Sequence, residues 1–258
     1  MNRPMNPPMN PPMNLLLRYS PLLILAVAWE LAARSGLISS SALPAISKIA
    51  AAWIDLARSG DLASNALASL WRTGAGLALA ILIGGALGFA MAFWRGAETA
   101  LSPVVDLFYP LPKSALIPIT ALWLGFGDGS KILLICMGCM LPVTLGAFNG
   151  ALSADRTLLW SARSLGASRL RSMWDVVMPS AVPELLNGIR TALALSFVLL
   201  VSSELIVSRE GLGYLIGFLG ANGTYEGMFA VVLTVAFFGF LADRLYEAFV
   251  RRMLAWRE

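Results

Sequence analysis

Histidine is absent from this 258-residue chain, and cysteine occurs only twice. Without an imidazole, Ser-His-Asp and Cys-His catalysis are excluded, and so is the commonest metal ligand. Cys136 and Cys139 form a C-x-x-C pair, a spacing that elsewhere marks a redox pair or half of a zinc site. Both lie within an apolar run, and no other Cys or His could complete a zinc shell. They read as helix-packing residues, and no disulfide framework is indicated. Charge is also scarce. Charged residues make up 13% of the chain, against about a quarter in soluble domains, so there is little water-facing surface to cover. A net charge of +4 without a clustered basic face gives no nucleic-acid signature.

What the chain has instead is apolar length. Hydrophobic residues reach 58% and gather into runs of about twenty, the length of a transmembrane helix. Six such runs stand out, at 15–33, 65–93, 102–124, 132–150, 183–207 and 225–250. The expected fold is an all-α membrane protein of about six transmembrane helices. Residues 1–14 repeat Met-Asn-Pro motifs that cannot bury apolar area, and they read as a disordered cytoplasmic tail ahead of a transmembrane domain at 15–258. The first run is long for the apolar part of a cleaved signal peptide and reads as a retained helix.

Segment 45–58 differs from the runs. Ile46, Ile49, Ala50, Trp53, Ile54 and Ala57 recur at three and four, while Lys48, Asp55 and Arg58 fall elsewhere. That pattern predicts an amphipathic helix lying at an interface, begun after Pro44. Within the second run Gly76, Ala80, Gly84, Gly88 and Ala92 recur every four residues, a stripe that admits a closely packed helix. Arg72, near the start of that run, is expected to reach outward by snorkelling. The third run is interrupted by Pro103, Pro110, Pro112 and Pro118. Freed backbone carbonyls are tolerated in lipid only under protein or beside water, so this span is expected to line a path or pack centrally. The loop at 125–131 superficially resembles a phosphate loop. Ser130 separates Gly129 from Lys131, and helices flank it, so it is not a Walker A. The connection at 208–224 is Gly-rich.

Between the fourth and fifth runs lies a polar segment at about 151–182 that carries Arg156, Arg163, Arg169 and Arg171. It predicts a helix over 156–166, a bend at Gly166, which has no β-carbon, and a second helix over 168–177 with Ser168 as N-cap and Pro179 as terminator. With both termini on the cytoplasmic side, most arginines, including those of this segment, fall inside, as the positive-inside rule favours.

Charges inside spans are functional hypotheses by default. Asp106, Lys113, Arg190 and Glu204 are the candidates for a translocation path. The competing reading is that they pair among themselves or reach an interface. Lys113 is the most suggestive of an anion, because it sits in the proline-broken span.

The segment from Trp160 to Pro179 resembles the cytoplasmic EAA loop of bacterial ABC importer permeases. In that family the pattern is Glu-Ala-Ala, three residues, Gly, nine residues, Ile, one residue, Leu-Pro. Ala162, Gly166, Val176, Met178 and Pro179 stand at matching positions, while Trp160 replaces the Glu and Ser161 the middle Ala. From about residue 43 onward, Leu43-Pro44, Ser69-Leu70-Trp71-Arg72, the stretch from Pro110 to Pro118, Leu122-Trp123, Ser130-Lys131, Glu204 and Gly211-Leu212-Gly213 also look like permeases of nitrate, sulfonate, taurine and bicarbonate importers.

The resemblance implies a type I importer permease of MetI-like architecture in the bacterial inner membrane. It implies a second permease copy (a homodimer by default), separate ABC ATPase subunits and an external solute-binding protein. This chain would then be a transport subunit, not an enzyme, with no cofactor of its own. ATP and Mg would sit on the partner ATPase. Residues around the bend, Ala162, Arg163, Ser164, Leu165, Gly166, Ala167, Ser168 and Arg169, would contact that ATPase. The alternative is a secondary carrier or membrane scaffold without an ATPase. A carrier should show paired discontinuous helices, and the proline-broken third run has no clear twin in the sixth.

Overall fold

The computed structural model describes residues 11–36, 38, 39 and 41–255. Its elements are helical throughout: α1 (Pro11–Arg34), α2 (Ile46–Ser59), α3 (Asp61–Phe93), α4 (Arg95–Phe108), a 3-10 turn (Lys113–Leu116), α5 (Ile117–Leu124), α6 (Asp128–Leu152), α7 (Arg156–Ser164), α8 (Arg169–Ser172), a π turn (Met173–Val177), α9 (Met178–Val207), α10 (Leu212–Ala221) and α11 (Tyr225–Met253). Among the described residues, four helices are long and apolar enough to cross a bilayer, and α4 with α5 makes a fifth if the bent pair is one span. The first predicted span corresponds to the 24-residue α1, which displays Leu23, Ile24, Leu25, Val27 and Leu31 on its outside. Most of the expected tail lies outside the described residues, and α1 takes up the chain from Pro11.

The centre is a three-helix sandwich, α3 on α6 on α9. Its core is Ala80, Leu134, Ile135, Cys139, Val143, Ala192, Leu199 and Leu200, closed by Leu116 and Ile117 ahead of and within α5. The small-residue stripe of α3 faces α6. A β-carbon at Gly84 would lie 2.6 Å from the Met140 carbonyl, and one at Gly88 would collide with the Thr144 carbonyl. On the other face of α6, a β-carbon at Gly146 would lie 2.7 Å from the Glu184 carbonyl, and one at Gly150 2.6 Å from that of Ala181. Such backbone approach is how helices associate where lipid removes the hydrophobic drive. The two cysteines are buried and free, and the Cys139 thiol donates to the Ala192 carbonyl at 3.2 Å.

Around this centre, α2 packs on α11, with the Trp53 indole donating to Thr234 Oγ1 at 3.0 Å. α1 touches the rest through Trp29, which donates to the Pro44 carbonyl at 2.9 Å and meets Phe229 edge-on, and through Glu30, which accepts from the Ser47 hydroxyl at 2.8 Å.

Three expectations change. The third run is not one span with kinks: α4 and α5 are bent from each other by 96°. Pro110 and Pro112 lack N–H donors, and the backbone turns extended at Pro112 (φ −63°, ψ 109°), so no helix continues through 110–112. Pro118 falls in the first turn of α5, where proline is tolerated. Second, the Gly-rich connection contains α10, a short apolar helix of about 15 Å. Third, Pro179 does not end the second loop helix. From Arg169 to Val207 the chain is one 39-residue helix. In the π turn just before Pro179, the Met178 N–H bonds to Met173, five residues back. The wider turn makes room for the proline ring, which an α turn would press against the carbonyl four residues earlier.

Candidate functional site

The two ends of the bundle carry different chemistry. At one end the loop between α6 and α9 folds as a helix–turn–helix. Asp155 caps α7 by accepting from Thr157 N at 2.7 Å. At the other end of α7, Gly166 N bonds to the Arg163 carbonyl (2.9 Å) and Ala167 N to the Ala162 carbonyl (3.0 Å). This double closure is a Schellman turn, which requires a left-handed residue at Gly166, and Gly166 has φ +84°. Ser168 then caps α8, accepting from Arg171 N at 3.3 Å. The expected bend and cap are therefore present. Asp155 was not singled out from the sequence, although Asp before a helical run is an ordinary cap signal.

Val177 and Ala181 anchor this unit against Ala151 and Ala154, beside Phe89 and Phe93 of α3, and Arg169 Nη2 reaches the Phe93 carbonyl at 3.5 Å. Val176 and Met178 are half-buried and Pro179 is exposed. The outward side is apolar and basic at once. Leu158, Trp160, Leu165, Leu170 and Trp174 are exposed together with Arg156, Arg163, Arg169 and Arg171. Leu165, beside the bend, is 89% exposed. A β-carbon at Gly166 would meet nothing within 4 Å, so the bend points into open space.

The opposite end is knotted by charge. Arg72 is 2% exposed and does not snorkel. Its Nε donates to Asp128 (2.7 Å), Nη1 to Glu204 (2.7 Å) and to the Glu210 carbonyl (2.9 Å), and Nη2 to the Glu210 carboxylate (2.6 Å). Snorkelling fails because Asp128, Glu204 and Glu210 converge there from α6, α9 and the loop before α10, so the guanidinium is neutralised where it stands. Glu204 is wholly buried. Its carboxylate also accepts from Gly213 N (2.9 Å) and from the Ser69 hydroxyl (2.8 and 2.9 Å). Ser69 Oγ accepts from Leu212 N, and Asn65 Oδ1 accepts from Gly211 N. Three amides at the start of α10, those of Gly211, Leu212 and Gly213, are thus taken up by side chains of α3 and α9. Gly211 has φ +111°, and a β-carbon there would strike the Glu204 carboxylate. Lys131, also buried, donates to the carbonyls of Phe126 and Gly127.

The four path candidates are not brought together. Glu204 belongs to the Arg72 network. Lys113 Nζ donates to the carbonyls of Phe108 (2.6 Å), Tyr109 (2.9 Å) and Leu111 (2.9 Å), capping the broken end of α4. It also borders an apolar cavity of about 140 Å³ between α3, α4 and α6. Asp106 is exposed on α4. Arg190 forms a bidentate pair with Asp243 of α11 at 2.8 and 3.0 Å. Sequence reasoning missed Asp128, Glu210 and Asp243 as partners, because each is remote in sequence from its arginine.

Close-packed apolar helices, a bent intramembrane pair and an exposed helix–turn–helix at one end define a multi-pass membrane permease. The family comparison is specific. The chain belongs to the binding-protein-dependent transport system inner membrane component family, which matches residues 76–255. The taurine transport system permease protein TauC of Escherichia coli (strain K12) is 35% identical over 73% of this chain and 69% of its own length. The putative aliphatic sulfonates transport permease protein SsuC of Bacillus subtilis (strain 168) is 32% identical over 92% and 86%. Among solved structures, the inward-facing MetNI methionine ABC transporter aligns with a TM-score of 0.60 at 21% identity, covering 73% of this chain and 94% of that chain. An amino acid ABC transporter aligns with a TM-score of 0.61 at 15% identity, covering 76% and 96%. These two likenesses establish the MetI-like fold. Family membership makes the chain a membrane transport subunit of an ABC importer and leaves the carrier and scaffold alternatives without support.

Proposed function

We propose that this chain forms the translocation path of an ATP-driven importer for a small anionic solute, a sulfonate such as taurine first and nitrate second. The observation that carries the ATP-driven part is the α7–α8 bend. Leu165 and Gly166 stand free in a setting of exposed arginines and tryptophans, a surface suited to a groove on a soluble ATPase. Residues Ala162 through Arg169 fill that groove. Because α8 runs on into α9 as one helix, a push at the bend tilts a pore helix directly, with no flexible joint between. ATP and Mg belong to the ATPase, and this chain needs no cofactor. Two copies enclose the pore, a solute-binding protein delivers to the Arg72 end, and both termini lie in the cytoplasm of a bacterial inner-membrane protein. The sulfonate preference rests on the names of the relatives.

The test is a mild-detergent pull-down of the tagged chain from native membranes, with partners identified by mass spectrometry. One ATPase per permease supports the reading. A binding protein recovered with it is then titrated with taurine, alkanesulfonates, nitrate and bicarbonate. Absence of any ATPase, where a control importer keeps its own, refutes it.

A further inference from the structure

α4 is held loosely. Ala97 is its one buried residue, and Pro103, Val104, Asp106 and Leu107 are exposed. Both of its ends are joints. Trp94, extended at φ −128° and ψ 110°, is the single residue between α3 and α4. At the other end the helix stops ahead of Pro110 and Pro112, and Lys113 Nζ donates to the carbonyls of Phe108, Tyr109 and Leu111. These carbonyls at the break are therefore paired within the protein, and the joint does not depend on solvent to satisfy them.

The cavity of about 140 Å³ lies beneath this helix, against α3 and α6. Val105 and Phe108 line it from α4, and Met91, Met137, Met140 and Leu141 from the other two helices. The polar groups on its wall are engaged elsewhere. Thr144 Oγ1 donates to the Met140 carbonyl at 2.9 Å, and Lys113 is spent on the break. A buried water needs about two to four polar partners, so this wall gives it no seat. Dispersion contacts are forfeited around such a void, and inward movement of one wall recovers them. α3 and α6 cannot make that movement. They already meet backbone to backbone behind the cavity, where β-carbons at Gly84 and Gly88 would collide with the carbonyls of Met140 and Thr144. α4 has the room, and three flexible methionines can adapt to its approach.

We propose that α4 is a mobile arm, jointed at Trp94 and at 110–112, that packs into this cavity in one state of the transport cycle and stands off it in another. The arrangement described above is the stand-off. For its drive the inference rests on the ATP-driven reading. Phe89 and Phe93 of α3 pack on the cluster that anchors the α7–α9 unit, and Arg169 Nη2 reaches the Phe93 carbonyl, one residue from the first joint. A push at the α7–α8 bend therefore arrives at that joint. Rigid elements turning on a few terminal residues are a common form of such movements. Packing inward withdraws the outer face of α4, with Asp106 and Leu107, by the clearance the cavity provides.

The test uses the complete complex in lipid nanodiscs, with one labelled copy isolated through two affinity tags. Spin labels replace Leu107 on α4 and Leu82 on α3, both exposed, while the two native cysteines are buried. The expected result is a separation that changes by several ångströms between the nucleotide-free and ATP-trapped states. Val105→Phe puts a ring into the cavity. It should keep or raise the unfolding temperature, since filled voids regain contacts, abolish the change in separation, and lower uptake about fivefold or more. Val105→Ala, which widens the cavity, should keep uptake per folded complex within about twofold of wild type. An unchanged separation in the wild type, with labels at the α7–α8 bend still moving, overturns the arm and leaves the ATP-driven reading in place. So does full uptake by a stable Val105→Phe complex, because the cavity is then a packing defect or a seat for an acyl chain. If Val105→Phe does not fold, the wild-type separation decides alone. A separation that changes with solute but not with ATP keeps the arm and removes its proposed drive.

Discussion

Arg72 and Glu204 show how burial changes the meaning of a charge. Removing one member of a buried, hydrogen-bonded pair leaves the other uncompensated, at a cost of about 3–5 kcal/mol, whereas replacing both with apolar residues is often near neutral. Arg72→Met is therefore expected to lower the unfolding temperature in detergent sharply, and Arg72→Met/Glu204→Met to recover only part of the loss, because Gly213 N then lacks its acceptor and Asp128 and Glu210 their donor. Equal destabilisation by single and double variants would show that the network is not organised around this pair. Lys113 is a separate case. Lys113→Met leaves three carbonyls at the end of α4 without a donor, a loss of about 1–3 kcal/mol. Uptake per folded complex should stay within about threefold of wild type, and a larger fall at unchanged stability would return Lys113 to the path. Both residues were visible in the sequence as charges within apolar runs. Their partners were not, since no pattern connects Arg72 with Glu204 across 132 positions.

At the scale of elements, the α7–α8 bend was the most legible part of the chain. Gly166 and Ser168 sit where a Schellman turn and an N-cap need them, and both signals are local. Gly166→Ala puts a β-carbon into open space but strains a left-handed residue by about 1–2 kcal/mol, so coupling is expected to weaken only modestly. Gly166→Trp and Gly166→Pro are expected to abolish solute uptake and stimulated ATP hydrolysis, while the chain still inserts at normal levels. Full uptake by either would exclude the bend as the coupling contact. Close-packed helices respond differently. Gly84→Leu drives a side chain into the Met140 backbone, which cannot give way as a flexible side chain could. It should reduce folded protein several-fold on size-exclusion chromatography, against little change for Gly74→Leu, whose β-carbon site is open. The α4–α5 break was foreshadowed by its prolines, but its 96° bend was not. Prolines forbid a straight helix without fixing the direction of the next one.

For the whole molecule, the arrangement separates an end knotted by charge from an exposed end, the one on which the proposed ATPase would act. At the knotted end, α3, α6, α9 and α10 meet in one charged knot. At the exposed end, α7 and α8 are joined to the bundle through a small apolar cluster and the continuous α8–α9 helix. Displacement of the bend is thus expected to rotate the bundle about the Arg72 end, a rigid-body movement with few hinges. Spin labels at Leu158 and at Leu165 on the two copies of an assembled transporter should change separation by several ångströms between nucleotide-free and ATP-bound states. Labels at Ser208, near the knot, should shift less. Equal movement at both ends would argue against a fixed outer end.

The sequence alone determined what depends on composition and on near neighbours: membrane residence, the approximate limits of most apolar runs, the small-residue stripe, the amphipathic α2 and the α7–α8 bend. Each of these follows from periodicity, caps or turn chemistry within a few residues. Tertiary structure decided which charges neutralise one another, that Arg72 turns inward, that α10 is a helix held by side chains of α3 and α9, and that Pro179 lies inside a continuous helix. The physical reason is the same throughout: a donor can be counted as spent or free only once the acceptors that distant segments bring to it are known.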